Sequence, residues 1–218
     1  MENVKSRSTA VTERQEEKGT SWALVFVAVV LPLAWLSLWR TDPVIYREHG
    51  PMEMFQVAAL VVGLFLSYIN TKISPRIGDK VVYLGLGLLF LTFILLEFDT
   101  RSFNSPLLIR LTNGKIRNLW LGFLWGGVAI LAIWRLRNVL EAGWKWLRSR
   151  PGTFMMISGV FWVAGWAVDK WKPSNAGVAL MTEELLEVNA AYFMLISAAL
   201  SFLQVRGKRR INGSDVID

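Results

Sequence analysis

The chain has no cysteine and a single histidine, His49, among its 218 residues. Without thiols it can form no disulfide, no thiolate nucleophile and no iron–sulfur site of its own. One imidazole cannot supply both axial ligands of a bis-histidine haem, nor the three nitrogen or sulfur ligands usual in the zinc sites of membrane hydrolases. Haem and His/Cys zinc are therefore not expected, and no cofactor is identifiable. A hard cation held by carboxylates and carbonyls stays open. The chain also has no long polar stretch that could make a separate soluble domain.

What fills it instead is six apolar runs, from Trp22 to Trp39, Met52 to Ile69, Val81 to Glu97, Leu119 to Trp134, Thr153 to Val168 and Val188 to Leu203. Each comes within a turn or so of the ~20 residues needed to cross ~30 Å of hydrocarbon. Lipid offers no partners to backbone amides, so each run is expected to be a helix and not a strand. The fold class predicted is all-α, an integral membrane bundle of six transmembrane helices. Residues 1–20 are expected to be a mobile tail, 21–205 the membrane domain and 206–218 a basic tail. No small-residue cleavage site follows the first run, which is read as a retained span and not a signal peptide. Most of the 11 tryptophans, Trp22, Trp39, Trp134, Trp144 and Trp171 among them, fall near run ends, where an amphipathic ring prefers headgroup depth.

Alternate connecting segments differ in charge. Of the 24 Lys and Arg, 16 lie on the side of the two termini, which predicts both termini in the cytoplasm and a multi-pass protein of the bacterial inner membrane. The net charge of +7 is then a topology signal, with membrane lipids as partners and no nucleic acid. The stretch 135–150, RLRNVLEAGWKWLRSR, is expected to continue the fourth helix along the interface, Trp and Leu toward lipid and Arg and Lys toward headgroups, with Pro151 and Gly152 punctuating it.

The same topology puts nine of the 17 acidic residues on the opposite, extracytoplasmic side: Asp42, Glu48, Glu53, Glu97, Asp99, Asp169, Glu183, Glu184 and Glu187. Glu53 opens the second run with Gln56 on its face, Glu97 closes the third, Asp169 closes the fifth, and Thr182 reads as the N-cap of the sixth. Acids at helix N-termini complement the macrodipole, which accounts for Asp42, Glu183 and Glu184. It does not account for Glu97 or Asp169 at C-termini, nor for Glu187 at its depth. An acid at mid-bilayer costs roughly 2.5–3.5 kcal/mol, so those retained commonly face a polar interior or a partner. Glu53, Glu97, Asp99, Asp169, Glu184 and Glu187, with Arg101 and His49 as neighbours, are the candidate binding residues. They read either as a salt-bridge network or as a site for a headgroup, substrate or proton. No catalytic or metal-ligating residue is assigned.

Trp35 to Asp42 and Trp162 to Asp169 share the pattern W-x-x-x-W-x-x-D, each closing a helix before an acidic opening to the next, as an ancestral hairpin repeat would. Gly85 with Gly87, Gly122 with Gly126 and Gly127, and Gly159 with Gly165 are expected to mark close helix approaches. The connection from Ser102 to Asn118, apolar at its centre, is read as lying on the membrane or as a lid.

In EHGPMEMFQVAALVVGLFL, LLEFDTR and EELLEVNAAYFMLISAAL the chain resembles a loose group of bacterial polytopic inner-membrane proteins. These carry an acidic-Gly opening to one helix, an acidic-then-Arg end to the next and an E-E-x-x-E opening to the last. Glu53, Glu97, Arg101, Glu184 and Glu187 match that pattern, and His49 replaces an acid. The resemblance implies a membrane fold with a shared polar cluster and lends no activity. Intramembrane CAAX-type proteases fit less well, because Val188 stands where their motif has arginine and their later histidines are missing. Three functions remain open: an accessory or assembly protein binding a protein partner, lipid headgroup or cation; a small-solute or cation transporter; and a carboxylate-dependent enzyme acting on lipid or glycan.

Overall fold

A computed structural model describes residues 30, 33–35, 37, 50–97, 112, 114–171 and 176–214. The chain divides into two units, Met1–Arg47 and Glu48–Asp218. The few described residues of the first are helical, and Ser37 donates its hydroxyl to the Leu33 carbonyl at 2.8 Å, one turn back. The expected first span from Trp22 to Trp39 lies largely outside the described residues, as does the first copy of the tryptophan repeat.

The second unit is built of helices joined by short turns, with no strand among its described residues. Its helices are α1 (Pro51–Ile73), α2 (Ile77–Glu97), α3 (Gly114–Trp134), α4 (Leu136–Leu147), α5 (Arg150–Trp171) and α6 (Ala176–Ser214). Five helices are long and apolar enough to cross a membrane, all but the short α4. The boundaries follow local chemistry. Gly50 caps α1 and Pro51 follows at its first position, where a missing N–H costs nothing. Ser74, in extended conformation ahead of Pro75, ends it. The turn that follows is short, so α1 and α2 run antiparallel side by side.

The centre of the bundle is apolar. Ala59 and Leu60 of α1, Phe90 of α2 and Ala191, Met194 and Ala198 of α6 form one buried cluster. Gly63 lets the Phe90 ring lie against the α1 backbone: a Cβ there would sit 2.2 Å from a ring carbon. Trp162 of α5 stacks on Phe93 at 4.2 Å between centroids and points its indole N–H at the Met194 sulfur, 3.4 Å away. Two further hydrogen bonds tie α5 to α6, Ser158 to the Ala190 carbonyl (2.8 Å) and Ser197 to the Pro151 carbonyl (2.7 Å). Side-chain bonds to backbone in a lipid setting stabilise such crossings by up to about 1–2 kcal/mol.

Several expectations are corrected. The stretch from Arg135 does not continue the preceding helix: Arg135 leaves helical geometry (φ −115°, ψ 30°) and α4 starts afresh. Pro151 and Gly152 do follow the end of that stretch, and they open α5, again with proline in the first turn. Among the described residues no close approach is made at Gly122, Gly126, Gly127 or Gly159, where a Cβ would meet nothing within 4 Å. α3 keeps only Leu121 buried, while Phe123, Ile130 and Ile133 stand exposed on an apolar helix, as a lipid-facing span should. The last helix begins at Ala176, ahead of the expected cap at Thr182, and runs to Ser214. At 1.5 Å per residue its 39 residues reach about 58 Å, so its ends project beyond the hydrocarbon.

Candidate polar site at one end of the bundle

The antiparallel pairing of α1 and α2 brings Glu53 in the first turn of α1 to the same end as Glu97, the last residue of α2. α6 packs on α1 and α5, and its Glu183, Glu184 and Glu187 fall at this end too. Glu97 lies within electrostatic range of Glu53, Glu183 and Glu187; Glu187 in turn senses Glu184, Glu183 and Asp169. Four helices therefore deliver carboxyl groups to one region. Glu53, Glu97, Glu183, Glu184 and Glu187 are half-buried, whereas Asp169 is exposed and pairs with the adjacent Lys170 at 2.7 Å. Gly165 sets the spacing of α5 and α6 here, since a Cβ on it would come 3.3 Å from Glu187 Cγ. His49, Asp99 and Arg101, the remaining candidate residues, lie outside the described residues, as do Asp42 and Glu48.

Thr182 is not an N-cap. It sits inside α6 and donates its hydroxyl to the Val178 carbonyl, one turn back, at 2.7 Å. Glu183 and Glu184 are consequently beyond the first turn, where the macrodipole fades, and its explanation of them weakens. Glu97 is helped from an unexpected quarter. Arg117, in the first turn of α3, donates to the Leu95 carbonyl at 2.8 Å. A cation on the last carbonyls of a helix both satisfies them and complements the dipole that Glu97 opposes.

The cluster also contains amides whose hydrogen-bonding capacity is unspent. Gln56, one turn after Glu53, is fully buried. Its amide faces the Glu97 carboxyl closely enough to interact but falls short of hydrogen-bond geometry, so neither amide atom has a partner. Asn189 of α6, also buried, donates to the Leu185 carbonyl at 2.6 Å and leaves its own oxygen unpartnered. Leaving a buried polar atom unpaired costs about 1–3 kcal/mol, so such groups are commonly completed by something that binds. Among the described residues no three Asp, Glu or His side chains are arranged to hold a metal ion. What the region offers is acceptors for a hydrogen-bonding cation of the ammonium or guanidinium kind.

Arg117 and Asn189 were not singled out by sequence. Each is an ordinary polar residue at a run boundary, and its role depends on which neighbouring helix it meets. Comparison of the chain with protein-family models, with characterised proteins and with solved structures finds no match.

Proposed function

We propose that this is an accessory or assembly protein of the bacterial inner membrane, with six spans and both termini cytoplasmic, whose acidic end faces outward and holds a basic side chain of a membrane-protein partner. The observation that carries this is Gln56: a fully buried amide that faces Glu97 but reaches hydrogen-bond geometry on neither atom among the described residues, in the cluster with Glu53 and Glu187. A lysine or arginine from a neighbouring chain would donate hydrogen bonds to the carboxylates and Gln56 Oε1 together. The orientation rests on the 16 Lys and Arg assigned to the side of the termini.

The transporter reading is disfavoured by the layer beneath the cluster. Among the described residues, fully buried Leu60 and Phe90 and nearly buried Met194 put an apolar layer between the acidic end and the rest of the bundle centre. A headgroup amine at the same acceptors is the nearest alternative.

The test is photocross-linking in native membranes followed by purification of the full chain. The wild-type protein should retain a defined protein partner, and Glu97→Gln with Glu187→Gln should lose it while Asp169→Asn, exposed and already paired, keeps it. Equal retention by all three would overturn the proposal. Recovery of lipid alone, sensitive to the same two substitutions, would transfer the site to a headgroup.

A further inference from the structure

At the other end of the bundle, between the α1–α2 turn, α4 and the late turns of α6, lies a cavity of about 530 Å³. Its polar lining includes Ser74, Arg76, Asp79 and Lys145, and its apolar walls include Val82 and Trp146. A second cavity of about 290 Å³ continues from it and shares Arg76, Asp79 and Lys145.

Three features make this a built site. Ser74 lines the cavity, and its hydroxyl, buried behind that lining, has no hydrogen-bond partner among the described residues. The far wall is fixed, because Trp146 donates its indole N–H to Ser201 of α6 at 3.0 Å and the Tyr83 hydroxyl approaches the same Ser201. The amphipathic α4 beside the cavity is suited to headgroup depth. That helix exposes Leu136, Leu140, Trp144 and Leu147 along one stripe, while Arg148 stacks its guanidinium 4.3 Å from the Trp144 ring centroid. Such a helix lies in the interface plane.

The charges inside are of both signs. Asp79 is in the first turn of α2 and makes no ion pair among the described residues. Lys145 is held only by Glu141, at 2.6 Å, with both side chains about three-fifths exposed (63% and 61%). An exposed pair of this kind contributes little and exchanges readily. Arg76 is exposed, with its charge near the same Glu141.

We infer that this cavity binds the headgroup of a phospholipid carrying a phosphodiester and a primary ammonium, that is, a phosphatidylethanolamine. Arg76 and Lys145 take the phosphate, and Asp79 accepts from the ammonium. The apolar walls at Val82 and Trp146 lead the glycerol and first methylenes toward the stripe of α4. A purely anionic headgroup would leave Asp79 opposed to it, and a choline headgroup has no N–H to give Asp79. This assignment does not depend on the partner proposed for the acidic end.

Native mass spectrometry of the full chain in detergent tests it, with phosphatidylethanolamine, phosphatidylglycerol and phosphatidylcholine of matched acyl chains added singly and in competition. The wild type should retain the ethanolamine lipid about fivefold over either other lipid, the scale of one charge-assisted hydrogen bond at an accessible site. Asp79→Asn should bring that ratio to about one while phosphatidylglycerol still binds, which shows that the variant is folded. Arg76→Gln with Lys145→Gln, both at exposed positions, should reduce retention of the ethanolamine lipid about tenfold. Soluble glycerophosphoethanolamine at equal concentration should not displace the lipid. The inference is overturned by equal retention of the three lipids in the wild type, by preference for phosphatidylglycerol, by an unchanged ratio in Asp79→Asn, by undiminished retention in the double variant, or by displacement with the soluble headgroup.

Discussion

α1, α2, α5 and α6 form both ends of the bundle, and the two ends are built differently. At the acidic end α5 and α6 approach through side chains: the nearest atom to a Cβ on Gly165 would be Glu187 Cγ, in the middle of a flexible chain. At the basic end the contacts are backbone. A Cβ on Gly78 would lie 2.4 Å from the Asn138 carbonyl oxygen of α4, and one on Gly152 would lie 2.3 Å from the Trp146 carbonyl oxygen. Between them lies the buried apolar layer of Leu60, Phe90 and Met194. The difference teaches that one end can adjust its carboxylates to a visitor, while the other holds a cavity of fixed shape.

The sharpest way to break this comparison is to make one substitution at both ends. Gly78→Ala should lower stability by about 1–3 kcal/mol, because the neighbour it meets is backbone and cannot rotate away. Gly165→Ala should fall within about 1 kcal/mol of the wild type, since a shift of Glu187 relieves the contact and the alanine gains helix propensity. Unfolding in detergent, followed by circular dichroism against denaturant, measures both. Equal losses would mean that the ends are equally rigid.

Next in size are the buried amides. Gln56→Leu and Asn70→Leu each replace a fully buried side chain whose amide atoms have no partner, so each should raise stability by about 0.5–1 kcal/mol in the same assay. They should then diverge: Gln56→Leu loses the partner retained by the wild type, whereas Asn70→Leu, on the other side of the apolar layer, keeps it. A loss of stability in both would show that the amides are completed within the bundle.

The smallest effect belongs to the exposed pair of Glu141 and Lys145. The hydrogen bond from Lys145, and then its charge, hold the Glu141 carboxyl below the ordinary carboxylate value. Its contribution is therefore complete above the unfolded-state value and is lost as pH falls through the lowered folded one. Hydrogen exchange of α4 amides should accelerate over that acid interval in the wild type, less in Lys145→Gln, and less again at high salt. Identical acid profiles in the two proteins would remove the pair from the account.

Much of the bundle was readable because lipid imposes one rule on long apolar runs. Val81 to Glu97 became α2 with its end in place, and Leu119 to Trp134 became most of α3. What was not readable depends on neighbours. Thr182 has the composition of a cap, but its hydroxyl has a carbonyl one turn back to bond, and the helix simply starts earlier. Gly122, Gly126 and Gly127 have the spacing of a packing face, yet spacing says nothing of whether a second helix arrives. The acidic residues could be grouped by membrane side, helix end and depth; Gln56 as the unpaired amide among them, and Arg117 on the α2 carbonyls, emerge only when helices distant in sequence are packed together. The break at Arg135 has no proline or glycine at the break itself to announce it.

The absence of cysteine makes the central claim, convergence of carboxyl groups from different helices at one end, directly testable. Glu97→Cys combined with Glu187→Cys should cross-link in native membranes with a short bis-thiol reagent, while Glu97→Cys combined with Ser74→Cys, at the opposite end of α1, should not. Cross-linking of the second pair, or failure of the first in a protein whose single cysteines both react with a monofunctional thiol probe, would contradict the account.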